Sequence, residues 1–480
     1  MPSARVALSL ALLAACNSTP DPAADESSSD PGETTSDPSP TSTPAPTSGD
    51  DTTTAAATTD AATTDSTTAD GEPALTYWRD TKAILDAKCA TCHRANDIAP
   101  FALTTYEESS QFAPVLAAAI EAGTMPPWHP DDACNGYKHD RSLSDEDREK
   151  LLAWIDLGAP EGDPGDAPPL PPDDGGEPVD FDLELGIPEP FTPTVLPDDY
   201  RCFLLDWPAE ANSYATAFTI EPGARSIVHH VIAFIIPPDE LPAFEALDDA
   251  DPGPGYPCYG GPGGEASPRA RWLGAWVPGS SSNGALPAGT GIRVDPGSKI
   301  ALQMHYHPLG DDTSDLSVLR VRTEPTVERP AYLLPLANPG WMTDQPEMTI
   351  PAGAPDTVHE FTIGLSLILQ YLYGGDVPGF GEPLLVHAAG VHMHTRGQRA
   401  SLNVIGQGGS PGDCLIDVRD YDFNWQGIYD LKEPVLVNTA DQVRLECHFD
   451  NSAGDTPMKW GEGTGDEMCL GMLYVSAPGE

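Results

Sequence analysis

Six of the twelve histidines fall in three short clusters: His229-His230, then His305 and His307 in Gln303-Met304-His305-Tyr306-His307, then His392-Met393-His394. A methionine follows near the C-terminus, Met468 in Asp466-Glu467-Met468-Cys469. Imidazole nitrogens with one thioether are the donors that suit copper cycling between two oxidation states. Residues two apart in a strand face the same way, so His392 and His394 can grip one ion together, and so can His305 and His307. His229 and His230 are adjacent and oppose each other in a regular strand. They share an ion only at a bulge or strand end, or through different ring nitrogens. Taken alone, such a pair reads as half structural, and a single Met as a core residue.

Upstream lies Cys89-Ala90-Thr91-Cys92-His93. The two cysteines are spaced to add as thiols across two haem vinyl groups, with His93 placed to reach the iron. The competing readings are a local disulfide or half a zinc site, although no second CxxC pair is present to complete a zinc cluster. Gly123-Thr124-Met125-Pro126-Pro127-Trp128-His129 offers two candidates for the sixth iron ligand. Met125 is preferred, because a Met/His pair raises the haem potential as electron-transfer cytochromes need; His129 is the alternative. Tyr77, Ile84, Leu85 and Lys88 before the motif, and Leu143, Leu151, Leu152 and Ile155 after it, have helical periodicity. Ser144 with Asp147 has capping-box spacing. The segment 76–163 is similar to small all-α class I c-type cytochrome domains.

These residues must be held by more than one core, since 480 residues predict two to four domains. Met1 to Cys16 carries Arg5 and an apolar run too short to span a bilayer, and reads as a secretion signal. Leu13-Ala14-Ala15-Cys16 resembles a bacterial lipobox, which implies cleavage and lipidation at Cys16. The protein is therefore expected to be exported and held to a bacterial membrane by its lipid alone. Residues 17–75 are almost wholly Thr, Ser, Ala, Pro, Asp and Glu, a composition that predicts a disordered tether. A second acidic Pro/Gly stretch, 164–185, is a linker. Formal net charge is −50, which argues against nucleic acid or anionic headgroups as partners. Beyond the linker, β-branched runs separated by turn residues recur: Ser226 to Ile236, Lys299 to His307, Ser317 to Arg322, Leu384 to His394, Val435 to Phe449 and Cys469 to Val475. They predict a mostly β protein with two tandem β-sandwiches, 186–328 and 329–480, split near Thr326 to Leu333 with Arg329-Pro330 at the join.

The run from Trp276 through Leu286-Pro287-Ala288-Gly289-Thr290-Gly291-Ile292-Arg293-Val294 to Leu302-Gln303-Met304-His305-Tyr306 resembles the first copper domain of the ascorbate-dependent type II copper monooxygenases, the family of peptidylglycine α-hydroxylating and dopamine β-monooxygenases. In that family a His-His pair, a Leu-Gln-Val-His-Tyr strand, a Val-His-Thr-His strand and an Asp-Glu-Met-Cys occur in this order. All four have counterparts here, so the resemblance covers roughly Asp198 to the C-terminus. It implies two copper ions: His229, His230 and His305 would hold an electron-transfer copper, and His392, His394 and Met468 the copper where O2 binds. His307, which the family pattern does not require, becomes auxiliary. The implied reaction is hydroxylation of an unactivated C–H bond by O2, with two electrons from an external reductant or redox protein, supplied or relayed by the fused haem. The resemblance also pairs Cys202 with Cys258 and Cys447 with Cys469. Cys134 and Cys414 remain, free or joined across the haem and C-terminal domains.

The departures bear on the substrate. Where peptidylglycine enzymes hold a substrate carboxylate with an Arg before the His strand and with an Asn and a Tyr after the Met-Cys, this chain has Gly390, Leu470 and Met472. The expected substrate is a small, non-peptide, neutral or hydrophobic compound. Arg396, Asp422, Asn424 and Trp425 are candidate pocket residues with structural roles as the alternative. Two rival readings remain: a non-catalytic surface haem and copper protein that carries electrons or binds copper, and a zinc hydrolase on His392 and His394. The hydrolase would need a third His, Asp or Glu ligand and a nearby carboxylate base, and Met468 counts against it.

Overall fold

Alternation of buried and half-exposed residues, as in Ser213–Glu221, marks a strand with one face on a core, and strands are the commonest regular element of the chain. The computed structural model describes residues 75–95, 97, 99–169, 179–258, 261–263, 270–277, 284–374, 377–423, 425–461, 463 and 465–478. The leader with Cys16, the acidic stretch to residue 74, residues 170–178 of the second linker and Asn424 lie outside the described residues.

The protein is mostly β, in several sheets. Among the described residues the largest sheet has eight strands, in the order Leu183–Gly186, Val318–Glu324, Ser213–Glu221, Thr290–Val294, Arg329–Leu336, Leu470–Ser476, Leu384–His392, Ile428–Val437. A five-stranded sheet, Tyr256–Pro257, Asp199–Asp206, Lys299–Tyr306, Val228–Ile236, Arg271–Trp276, packs on its first half through Phe203, Val231, Leu302, Ile292 and Val321. A four-stranded sheet, Thr357–Ile363, Gln442–Phe449, Gly397–Ile405, Pro411–Val418, packs on its second half through Leu402, Leu415, Leu445, Val386 and Leu473. Each of these buried aliphatic or aromatic side chains contributes roughly 1.5–3 kcal/mol relative to exposure.

The two sandwiches therefore share one continuous sheet. The residues expected at the join lie in its middle: Arg329–Leu336 pairs in parallel with Thr290–Ile292 and antiparallel with Gly471–Ser476. Pro330, which has no N–H to give, sits in the first residues of that strand, before the antiparallel pairing starts at Ala331. The run Val435 to Phe449 is two strands in different sheets, broken at Asn438, whose N–H and side chain both donate to Asp441.

Helices occupy the segment before the sandwiches. A π-helical turn Tyr77–Thr81 runs into Lys82–Lys88, followed by Tyr106–Gln111, Ala113–Glu121 and Asp145–Asp156. They enclose Tyr77, Leu85, Leu103, Leu116, Leu151 and Trp154. Ser144 caps the last helix, its hydroxyl accepting the Asp147 N–H at 3.1 Å. Between the third and fourth helices the chain leaves this core and runs along the second sandwich. There the Asp131 N–H donates to Asp417 O and the Lys138 N–H to Asp430 O, each at 2.8 Å. Cys134 and Cys414, open in the sequence, form a disulfide across this contact. Among the described residues no helix is long and apolar enough to cross a membrane.

His387 occupies a bulge in Leu384–His392, where the register shifts on both flanking strands. The Ser476 hydroxyl donates to Ala477 O, so it accepts from His387 Nε2 at 2.8 Å and places a ring proton on that nitrogen. Burial lowers the His387 pKa to about 4, with Arg329 and Lys138 adding to the shift. The unfolded chain takes a proton near pH 6.5 that the folded one refuses, so this stability is present above pH 6.5 and lost as pH falls towards 4. His387→Gln should remove a pH-dependent component on the order of 3 kcal/mol between pH 6.5 and 4, read as a flatter plot of denaturation midpoint against pH.

Candidate metal centres

His229 and His230 lie in Val228–Ile236, and His305 in the adjacent strand Lys299–Tyr306. The register between these strands shifts between Val228 and His230, a bulge that lets both adjacent imidazoles turn to the same side. Nδ1 of His230 lies 3.2 Å from Nδ1 of His229 and 3.2 Å from Nδ1 of His305, and the donor atoms of all three stand within 4.8 Å of one another. His305 donates from its other nitrogen, Nε2, to Asp198 at 3.0 Å and stacks on Tyr200 with ring centroids 4.2 Å apart. An acceptor on one nitrogen fixes the tautomer and leaves the other for a metal. His307 is apart from the cluster, exposed, with Nδ1 3.4 Å from the same carboxylate.

His392 ends the strand Leu384–His392, and His394 follows it. Here the engaged nitrogen is Nδ1 in both rings: His392 donates to Gln426 Oε1, and His394 to the Asp466 carbonyl at 3.1 Å. Both Nε2 atoms are left available. Met468 is buried and, with His392 and His394, lines one cavity. Between the His and Met segments stands Glu467, fully buried. It accepts the backbone N–H groups of His394 at 2.9 Å, of Met468 at 3.3 Å and of Arg396. Burial raises its pKa to about 7, against those three donors. The disulfides Cys447–Cys469 and Cys202–Cys258 are both formed, the first directly behind Met468.

Desolvation dominates the electrostatics. It lowers His229 to about 4 and His392 to about 3, His230 well below its usual value, and His394 as well. These four imidazoles are neutral near pH 7 and need lose no proton to bind a metal. The cavity that His230 shares with His392, His394 and Met468 measures ≈ 500 Å³, and Trp128, Trp272, Leu470 and Met472 give it an apolar wall. Phe423 stands between the clusters, its ring centroid 5.9 Å from that of His229 and 5.8 Å from that of His394.

A second cavity, ≈ 50 Å³, is lined by Cys89, Cys92, His93, Met125 and Trp425. Both thiols are free, which removes the local-disulfide reading. His93 donates from Nδ1 to Phe101 O at 3.0 Å, leaving Nε2 available. His129 is not in this lining; its ring packs 6.0 Å from Tyr421.

Of the pocket residues expected from sequence, Trp425 lines this second cavity rather than the larger one. Arg396 is likewise absent from the larger cavity's lining, its backbone bonded to Glu467 and Asp450. Asp422 is also outside that lining and raises the pKa of His129 against burial. Gly390 is explained by space: a Cβ there would lie 2.6 Å from the Gly427 carbonyl, so no side chain fits. Asp198, Phe423, Gln426 and Glu467 were given no role by sequence. Only Glu467 had a signal, its place beside Met468.

Residues 381–476 match the family model of the copper type II ascorbate-dependent monooxygenase C-terminal domain. DBH-like monooxygenase protein 2 of Homo sapiens is 24% identical over 321 residues, 63% of this chain and 58% of that protein. Both matches support the type II copper monooxygenase family. The description of that family model names copper and ascorbate-dependent monooxygenation. The chain spans little more than half the length of this human relative. Among solved structures, the infectious bursal disease virus VP2 subviral particle is 12% identical, covering 65% of this chain and 75% of that one, with a TM-score of 0.17. PNGF-II is 9% identical over 62% and 66%, with a TM-score of 0.25. Scores this low carry nothing about the fold.

Glu467→Ala would strand three backbone N–H groups at about 1–3 kcal/mol each. The metal-free variant should unfold at markedly lower denaturant, and Glu467→Gln, which keeps an acceptor oxygen, should lose less.

Proposed function

We propose that this chain is a copper-dependent monooxygenase that hydroxylates a C–H bond of a small, non-peptide compound, with electrons delivered through a covalently bound haem c. One observation carries the reading: His230, from a cluster with His229 and His305, and the set His392, His394 and Met468 line a single cavity with an apolar wall. When bound, copper supplies one-electron storage and O2 activation, for an overall R–H + O2 + 2e⁻ + 2H⁺ → R–OH + H2O. His229, His230 and His305 would hold the storing ion, since three imidazoles serve both oxidation states. His392, His394 and Met468 would hold the ion that meets O2, the thioether favouring Cu(I). Among the described residues, His392 and His394 belong to no group of three His, Cys, Asp or Glu donors, which disfavours zinc hydrolysis.

The donor set at the smaller cavity suits haem c: two free thiols, an imidazole with Nε2 available, and the Met125 thioether on the same lining. Admitting a macrocycle requires that lining to part. Gly390, Leu470 and Met472 supply no carboxylate donor at their own positions, and the apolar wall that Leu470 and Met472 form favours a neutral substrate, with Lys138 and Arg141 elsewhere on the lining. Export with a lipid on Cys16 completes the proposal.

The test is O2 uptake by the copper-loaded, haem-containing protein given a reductant and a panel of small C–H compounds. Substrate-stimulated uptake with a hydroxylated product is expected, falling about 100-fold or more in Met468→Ala. Uptake that no compound stimulates, or that Met468→Ala leaves unchanged, would favour the non-catalytic copper and haem protein instead. Asp198→Asn, which loosens His305, should weaken copper binding at the first centre about 10–100-fold, seen as selective loss of one of two copper equivalents in a competition titration.

A further inference from the structure

We infer that Tyr421 is a positioning residue for the second centre: its hydroxyl stands in for a strand partner at Met393, keeping that residue extended so that His392 and His394 present their rings to one ion. This rests on the reading of that pair as copper ligands. Side chains two residues apart share a face only while the residue between them is extended. The ladder that would enforce this stops one residue short. Its last pairing is His392 with Leu470, and among the described residues no strand pairs with Met393. Tyr421 closes the gap with a single atom: its hydroxyl accepts the Met393 N–H at 3.0 Å and donates to the Met393 carbonyl at 2.7 Å. A facing residue in an antiparallel ladder engages both groups of its partner in the same way. Remove the oxygen and both groups lose that partner, leaving the peptides on either side of Met393 to turn.

The hydroxyl is itself held in place. The Tyr421 N–H donates to Gln398 O at 2.8 Å, and its ring packs near that of His129, with centroids 6.0 Å apart. Met393 is also confined by the turn that follows it: a Cβ on Gly397 would lie 2.6 Å from the Met393 Cβ, and the Gly397 N–H donates to His394 O at 3.2 Å. Glu467 takes the next N–H, that of His394, at 2.9 Å. The two side chains divide the work, Tyr421 holding the residue between the histidines and Glu467 holding His394 against the Met468 segment. His129 belongs to the chain that leaves the helical core after Ala113–Glu121, and the backbone bond from Asp131 N–H to Asp417 O at 2.8 Å fixes it there. The segment before the sandwiches therefore backs the second centre through one ring contact, whatever its own cavity holds.

The test compares the full chain with Tyr421→Phe, which keeps the ring and removes the oxygen, and with Tyr332→Phe. The latter deletes a similar bond in the same core, from the Tyr332 hydroxyl to Pro378 O at 2.9 Å. In the metal-free proteins, amide exchange resolved by mass spectrometry should be about tenfold faster at Met393 in Tyr421→Phe alone, with Gly471–Ser476 unchanged. Copper is then titrated against a chelator. Tyr421→Phe should hold one of two equivalents about 10–100-fold more weakly. In a His305→Ala background, which isolates the second centre, it should also shift the hyperfine splitting of the Cu(II) electron paramagnetic resonance. Tyr332→Phe should do neither. Unchanged exchange at Met393 overturns the clamp. Faster exchange with wild-type copper affinity and spectrum, or equal weakening of both equivalents, overturns the positioning role. Wild type that binds no copper at His392 and His394 overturns the copper reading instead, and the exchange comparison by itself then decides the clamp.

Discussion

The pairing of His392 with Leu470 in the shared sheet is the constraint on which the rest depends. It sets the end of the His strand beside Met468, two residues before its partner. Side chains alternate along a strand, so a slip of one residue would turn His392 to the opposite face and part it from the thioether. The same strand, Leu470–Ser476, pairs on its other edge with Arg329–Leu336, which in turn joins Thr290–Val294 of the first sandwich. One run of backbone hydrogen bonds therefore aligns the second donor set and ties together the two halves that face the cavity.

Around that frame, burial decides the protonation state and hydrogen bonds decide which nitrogen is offered. Burial keeps His392 and His394 neutral, and four rings are aimed by an acceptor on the far side: Asp198 for His305, Gln426 for His392, the Asp466 carbonyl for His394, the Phe101 carbonyl for His93. The first centre presents Nδ1 and the second Nε2. Glu467 performs the matching task for the backbone, holding the His394 and Met468 segments with the two oxygens of one buried carboxylate.

Much of this was legible in the sequence because the relevant signals are local. The apolar run Leu384–His392, the Ser144 cap and the helical stripe with Leu151 depend on near neighbours in the chain. The bulge that reconciles adjacent His229 and His230 could be stated as a requirement, since period-two geometry demands it. Its location could not, because it arises from the register against Lys299–Tyr306. Arg329-Pro330, read as a join, opens the strand where the two halves of the shared sheet meet, and that the halves meet through a strand pairing was not visible in one dimension.

The sequence by itself determined which atoms can do chemistry here: paired imidazoles, a thioether and two thiols followed by a histidine, each at a spacing fixed by strand or turn geometry. Only the tertiary structure decided that His230 shares a cavity with His392, His394 and Met468, that Asp198, Gln426 and Glu467 orient the two sets, and that residues 128–141 leave the helical segment to wall that cavity. Those facts rest on contacts between residues far apart in the chain, such as Cys134 with Cys414 and Asp131 with Asp417. Such contacts are chosen by the packing of whole sheets, and no short stretch of sequence carries that information.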